Sequence, residues 1–342
     1  MEMSYSNQTS CLVKKEKVIF VKKALFLFFT IFLVFSIFLT GCGKSPTTQE
    51  ENNKLTVYTT VYPLQYFTEK IGGDYVKVET IYPPGADEHT FDPSQKDMIK
   101  LVDADLFFYI GLGLEGFVDK AKKTSKNGNV EMIATAEQIS LELEEEEKAL
   151  IEEEEHESHD ESHDGHDHSI DPHVWLDPIY AQEIAASIKD ALIKKVPENK
   201  GLFEQNYQEI VEELETLDQS FKNTIQTAKH KEIIVSHAAY GYWEKRYGLE
   251  QISVSGLSTT NEPSQKKLEQ IISIAEQHNI KYIFFEQNVT SKLTEIIQKE
   301  VGAKPLILHN LAVLTTKDIE NKETYFTIMD KNIKALKKAL TN

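Results

Sequence analysis

FEQNYQEIVEELETLDQSFKNTI, residues 203–225, is the stretch that divides the chain. Phe203, Tyr207, Ile210, Leu214, Leu217, Phe221 and Ile225 recur at three- and four-residue steps, the period of a single apolar stripe on an α-helix. One long amphipathic helix is expected there, within a linking segment at 196–230. Its two flanks read alike. Upstream, KLTVYTTVYP (54–63) is a strand running into a helix over 64–71, and YVKVETIYPP (75–84) is a second strand ending in a Pro-Gly loop. Residues 94–103 are helical, ADLFFYIG (104–111) is the unbroken apolar run of a buried parallel strand, and 114–123 returns as helix. Downstream the alternation restarts with KEIIVSH (231–237), a helix over 239–247, EQISVSG (250–256), a helix opening at 262–264, KYIFFE (281–286), a helix from Ser291, KPLILHN (304–310) and a C-terminal helix. The expected fold is α/β, with two Rossmann-like lobes of parallel sheet, 55–195 and 231–342, joined by the long helix. Such sheets bind ligands outside the C-terminal ends of their strands, which places a site in the cleft between lobes. No sequence repeat relates the two lobes.

Composition narrows the function. The 342 residues, 40% hydrophobic, can bury a sizeable core. Basic residues number 37 against 55 acidic, a net charge of −18, and 141–171 alone holds fifteen acids and one lysine. A nucleic-acid partner is excluded, because no basic face exists outside the N-terminal region. The acidic segment at 142–169 has no apolar period and a dense run of like charge, so it is expected to be a mobile insertion in the first lobe.

The N-terminus carries Lys14, Lys15, Lys17, Lys22 and Lys23, then ALFLFFTIFLVFSIFL (24–39), then TGC, the layout of a secretory signal. Its uncharged run sits at the short edge of the ~20 residues needed to span a bilayer. LTGC (39–42) resembles a bacterial lipoprotein processing site, which implies removal of 1–41 and a lipid on Cys42. Cys11 would leave with the leader, so neither thiol nor disulfide chemistry is expected. GKSPTTQEENNK (43–54) reads as a flexible tether, and the mature protein as lipid-anchored on the outer face of the cell membrane.

Four side chains able to hold a metal stand where strands or strand-like segments end: His89 after IYPPGADE, His173 in DPHVWLDP, His237 closing IIVSH and Glu286 closing YIFFE. Only a folded cleft could unite residues spread over about 200 positions. Three imidazoles and a carboxylate form a tetrahedral set that suits Zn²⁺.

GADEHTFDPS (85–94), DPHVWLDP (171–178), SHAAYGYWEKRYGL (236–249), GLSTTNEPS (256–264) and FFEQN (284–288) together resemble the motifs of the zinc-specific substrate-binding lipoproteins of ABC importers, the ZnuA-like family. The resemblance covers 55–342 and implies two α/β lobes bridged by a rigid helix. It makes His89, His173 and His237 imidazole ligands, with Glu286 in the carboxylate position. It also implies Zn²⁺ as cargo and an ABC permease and its ATPase as partners; a monomer is assumed. Manganese-binding relatives place a carboxylate where this chain has His237, and nitrogen donors favour zinc. The family often reads EPSP where this chain has EPSQ; Gln265 is expected only to open a helix near Ser264 or Glu262.

Other residues have plainer readings. His230, His278 and His309 are expected to be structural, Asp92, Asp171 and Asp177 to hold loops or orient imidazoles, and Trp175 and Trp243 to pack. In HESHDESHDGHDH (156–168), His156, His159, His163, His166 and His168 fall at irregular spacings among acids. A weaker, secondary metal-collecting role is expected, because flexible ligands lose more entropy on binding. Rival functions are a manganese or iron importer component, a surface adhesin or zinc store, and a secreted zinc hydrolase. The enzyme reading is set aside, because a catalytic zinc needs an open water position and no HExxH spacing is present.

Overall fold

The computed structural model describes residues 54–125, 128–137, 139–141, 170–260, 263–288 and 291–341. The leader, Cys42, the tether before Lys54 and the five histidines of 156–168 lie outside the described residues.

Two four-stranded sheets form the frame, and all of their strands are parallel. The first contains β1 (Leu55–Thr59), β2 (Val76–Thr80), β3 (Leu106–Tyr109) and β4 (Glu131–Ala134) in the order β2-β1-β3-β4. Val57 of β1 stands opposite Val78 on one side and Leu106 on the other. The second contains β5 (Glu232–Val235), β6 (Glu250–Ser253), β7 (Tyr282–Phe285) and β8 (Lys304–Ile307) in the order β6-β5-β7-β8. The two orders are the same, so the lobes repeat in topology where they do not in sequence. β4 has no counterpart in the sequence reading, because its four residues EMIA show no strand period of their own.

Local chemistry explains the helix boundaries. Pro63 opens α1 (Tyr62–Gly72), and Gly73 closes it at φ +51°, a conformation open to glycine without strain. Ser94 and Asp97 form a capping box on α2 (Gln95–Val102). α3 (Val118–Thr124) follows, and Asp177 caps α4 (Pro178–Lys195) by accepting from the Ile179 and Tyr180 amides. The long helix α5 spans Lys200–Gln226, 27 residues or about 40 Å at the standard rise. After α6 (Gly241–Tyr247), Ser264 caps α7 (Gln265–Gln277) through the Lys267 amide, so Gln265 is the first residue of that helix. α8 (Lys292–Glu300) precedes β8, and the C-terminal region divides into α9 (Thr316–Glu320) and α10 (Tyr325–Leu340).

Six residues of the α5 stripe, Phe203, Ile210, Leu214, Leu217, Phe221 and Ile225, are buried. Tyr207 is half-buried beneath the Lys189 ammonium, 4.8 Å from its ring centre. The helix packs on α1 and α4 on one side and on α6 and α10 on the other. α10 reaches back to the first lobe, where the Tyr325 hydroxyl donates to the Trp175 carbonyl at 2.8 Å and its ring meets Phe67 of α1 at 5.1 Å. One continuous apolar core therefore joins both sheets, and a smaller one around Ile234, Ile271 and Ile297 lies beneath α7 and α8. Among the described residues no helix is long and apolar enough to cross a membrane.

Candidate metal centre

The four positions expected to hold a metal reach the cleft by different routes. His89 lies on the loop between β2 and α2, where Asp87 Oδ1 accepts from the His89 and Thr90 amides at 2.9 and 3.2 Å. His173 opens the short 3₁₀ turn Val174–Leu176 ahead of α4. His237 stands two residues past β5 and Glu286 one past β7, and these strands are neighbours. They flank the point where the strand order of the second sheet reverses, the usual place for a ligand in an open α/β sheet.

The three imidazoles form a near-equilateral group, with ring centres 5.2, 5.2 and 5.7 Å apart. His173 and His237 are fully buried. Asp171 Oδ1 accepts from the His173 amide at 2.9 Å and faces its Nδ1 at 2.8 Å, while Glu286 Oε1 makes a short contact with His237 Nδ1. A carboxylate on Nδ1 holds the ring proton there and leaves the Nε2 lone pair for a ligand. Those two Nε2 atoms face each other at 3.3 Å, about the donor–donor edge of a tetrahedron with Zn–N of ~2.0–2.1 Å. Two lone pairs so placed repel unless a cation or proton lies between them. His89 Nε2 is buried without a hydrogen-bond partner, 3.9 Å from Glu88 Oε1, and buried polar atoms are rarely left so. Lone pairs converging on one buried point are what a borderline-soft cation requires.

One ligand atom from each of Glu88, His89, His173 and His237 lies within 4.8 Å of the others. The carboxylate of this group is Glu88, not Glu286. Glu286 stands behind His237 with both oxygens engaged: Oε1 accepts from Ser236 Oγ at 2.6 Å and touches His237, and Oε2 accepts from Asn310 Nδ2 at 3.0 Å. The same Asn310 nitrogen donates to Glu88 Oε1 at 2.8 Å. The sequence reading named His89 but not Glu88, its neighbour on the same loop, because the motif GADEHTFDPS was read for its histidine alone. Asn310 closes the segment KPLILHN and could have been found among the residues at strand ends.

Electrostatics separate the groups. Burial, with His173 and His237 alongside, drives His89 down to about 3. Burial lowers His173 as well, against the pull of Asp171. For His237 burial also opposes charge, but Glu286 outweighs it and the imidazole lies above its usual range. Glu286 is held below the carboxylate range by His237 in spite of burial. Burial, reinforced by Glu286 and only partly offset by His237, raises Glu88 to about 8, so it carries a proton at neutral pH without a metal.

The remaining residues are held by other partners, though the Trp175 ring also lies 5.3 Å from that of His173. His230 Nε2 meets the Ala339 carbonyl, His278 pairs with Glu232, and His309 accepts from the Leu311 amide and faces Asp318. Asp177 also pairs with Arg246, and Asp92 is exposed. The indole nitrogens of the buried Trp175 and Trp243 donate to the Asn310 and Leu176 carbonyls.

A two-lobed α/β frame with three converging imidazoles and a buried carboxylate defines a metal-binding protein of the cleft type. Residues 57–339 match the family described as zinc-uptake complex component A, periplasmic, or ZnuA. The chain belongs to that family. It is 36% identical over 305 residues to the high-affinity zinc uptake system protein ZnuA of Bacillus subtilis, covering 88% of this chain and 93% of that protein. It is 35% identical over 290 residues to the zinc-binding lipoprotein AdcA of Streptococcus pneumoniae, covering 84% of this chain but 56% of AdcA. Among solved structures, the Zn(II)-bound ZnuA-like domain of S. pneumoniae AdcA superposes with a TM-score of 0.69 at 33% identity, covering 84% of this chain and all of that domain.

Proposed function

We propose that this protein captures Zn²⁺ outside the cytoplasm and presents it to an ABC permease and its ATPase for uptake, without chemistry on the ion. One observation carries the reading: the His173 and His237 Nε2 atoms stand at a zinc-tetrahedron spacing beside the unpartnered Nε2 of His89. Similarity to zinc-uptake and zinc-binding proteins over most of the chain supports zinc as the cargo. His89, His173 and His237 bind the ion through nitrogen. Glu88 supplies the fourth donor, because its carboxylate lies within the group, and Glu286 orients His237 from behind. Three nitrogens and one oxygen favour zinc over manganese.

The same reading gives the rest of the chain its tasks. Residues 1–41 are the leader, Cys42 carries the lipid that holds the protein at the membrane, and 42–54 tether the domain. The first lobe occupies 55–195, the linking segment 196–230 and the second lobe 231–342. The histidines of 142–169 collect zinc weakly.

Competitive titration of the full chain in detergent, with zinc and manganese in parallel, tests the proposal. One tight zinc equivalent is expected, absent from His173→Ala, with weaker events remaining. Survival of the tight event in His173→Ala would place the site elsewhere.

A further inference from the structure

We infer that the hydrogen bond between Thr259 and Asp87 is the latch on the wall through which zinc enters and leaves the cleft, so that it sets the rate of exchange rather than the affinity. The inference rests on the cargo and the site proposed above. The donors are sealed from solvent: the side chains of Glu88, His173 and His237 are 2%, 0% and 1% exposed, and that of His89 is 9% exposed. An ion cannot pass such a shell unless one wall opens, and the wall that opens is the one with the fewest buried ties.

Two sets of contacts join the lobes around the site. Behind His173 and His237 they are buried. The indoles of Trp243 and Trp175, both fully buried, donate to the Leu176 and Asn310 carbonyls at 2.8 and 2.7 Å, and Arg246 pairs with the buried Asp177. The opposite wall is the loop that carries Glu88 and His89. By sequence it belongs to the first lobe, yet four successive residues are bound to four separate places in the second. The Gly85 amide donates to the Leu314 carbonyl at 3.1 Å, and the Ala86 carbonyl accepts from Asn288 Nδ2 at 2.9 Å. Asp87 Oδ2 accepts from Thr259 Oγ1 at 2.6 Å, and Glu88 Oε1 accepts from Asn310 Nδ2 at 2.8 Å. Only the last of these is buried: Gly85 is exposed, and Ala86, Asp87, Thr259 and Asn288 are half-buried. Water can replace the outer bonds one at a time, which makes this wall the weaker.

Asp87 connects that wall to the site. Its Oδ1 accepts from the His89 and Thr90 amides at 2.9 and 3.2 Å. One carboxylate thus fixes the backbone that aims His89 and, with its other oxygen, holds that backbone to the second lobe. The bond from Thr259 is the shortest of the outer three and ends on a charged group, the stronger kind of hydrogen bond. Thr259 is not among the donors to the metal; it is a positioning residue that acts through Asp87 on His89. Because the ion takes no part in the bond, its loss should lower the barrier to capture and to release alike.

The test is stopped-flow kinetics on the full chain in detergent. Mixing the zinc-loaded protein with a chromophoric chelator reads release, mixing the metal-free protein with zinc and the same chelator reads capture, and equilibrium competition gives the affinity independently. Thr259→Val keeps the branched shape and removes the hydroxyl. Release and capture should both quicken by about tenfold, the low end for a half-buried hydrogen bond to a charged group, while the dissociation constant stays within about threefold of the parent. Thr259→Ser keeps the donor and should keep the parent rates. Thr260→Val, one residue along and bonded to Ser258 within its own loop, should also leave them unchanged. Parent rates in Thr259→Val, faster release without faster capture, loss of the parent rates in Thr259→Ser, or equal acceleration in Thr260→Val would each overturn the inference. His173→Ala is run alongside: a tight zinc event persisting there defeats the underlying site assignment, whereas its loss beside parent rates in Thr259→Val defeats only the latch.

Discussion

Asp171 offers the sharpest test of how this centre achieves its affinity. One of its oxygens accepts from both the backbone amide and Nδ1 of His173, at 2.9 and 2.8 Å. His173 is fully buried and Asp171 mostly so, so water replaces little of what Asp171 supplies. Removing a group that orients a metal ligand costs roughly 10- to 100-fold in affinity, or about 1.4–2.8 kcal/mol at 1.4 kcal/mol per tenfold. Asp171→Asn keeps an acceptor oxygen and loses only the charge, which sets the lower end, about tenfold. Asp171→Ala removes the acceptor as well and sets the upper end, about 100-fold. A third variant perturbs the same contact from the other lobe: a Cβ at Gly241 would lie 2.7 Å from Asp171 Oδ2, too close to be accommodated without moving the carboxylate. Gly241→Ala should therefore fall between the other two. Competition against a chelating dye at neutral pH gives the three affinities. A dissociation constant for Asp171→Ala within about threefold of the parent would refute the claim that the tautomer and aim of His173 are set from behind.

Four further outcomes follow from the same coordinates. Glu88→Gln should lower zinc affinity more than Glu286→Gln, because one replaces a donor and the other a support; the reverse order in the same titration would return the ligand role to Glu286. Zinc binding at neutral pH should release between one and two protons, from Glu88 near 8 and in part from the raised His237. Since the metal takes only the deprotonated forms, affinity should rise with pH until Glu88 ionises and fall as His237 is protonated, and calorimetry in buffers of different ionisation heat would contradict this if no protons were released. Leu214→Ala, at a fully buried position in α5, should destabilise the protein by about 2–5 kcal/mol in urea unfolding; a loss under about 1 kcal/mol would mean that the helix is not part of the common core. Deleting 142–169 should leave the tight zinc event in place, and its disappearance would make the histidine-rich segment part of the main site.

The frame was legible because its signals are periodic. The α5 stripe and the apolar run of β3 announce a bridging helix and a buried parallel sheet from residue spacing alone. β4 was not legible, since four residues of EMIA become a strand only by pairing with Leu106–Tyr109, a fact held in tertiary contacts. The site shows the same division. His89, His173 and His237 meet because strand ends and motif loops point into one cleft, which a pattern can suggest. Glu88 falls within the group of imidazoles while Glu286 stands behind His237, held by Ser236 and Asn310, and no spacing encodes that.

The repeated topology gives an independent reason to see Glu286 first as a strut. In the second sheet, β5 is followed directly by Ser236, whose hydroxyl donates to Glu286 at the end of β7. In the first sheet the corresponding strand β1 is followed directly by Thr60, whose hydroxyl donates at 2.8 Å to Glu115, and Glu115 also accepts from the Ile110 and Gly111 amides just past β3. Each lobe therefore ties its two central strands at the reversal point through a hydroxyl and a buried carboxylate. In the first lobe the tie joins Thr60 to the Ile110 and Gly111 amides through Glu115; in the second, His237 follows Ser236 and faces His173 across the cleft. If the parallel holds, Glu286→Gln and Glu115→Gln should each destabilise the metal-free protein, by about 1–3 kcal/mol for a buried hydrogen-bonded group whose partners are disturbed. Glu88→Gln should have little effect, because Glu88 is already neutral at that pH and an amide preserves its neutrality. Chemical unfolding of the three variants in the presence of a chelator separates the roles. Equal metal-free stability for Glu286→Gln and the parent would mean that Glu286 serves the ion rather than the sheet, and the assignment of the fourth ligand to Glu88 would fall with it.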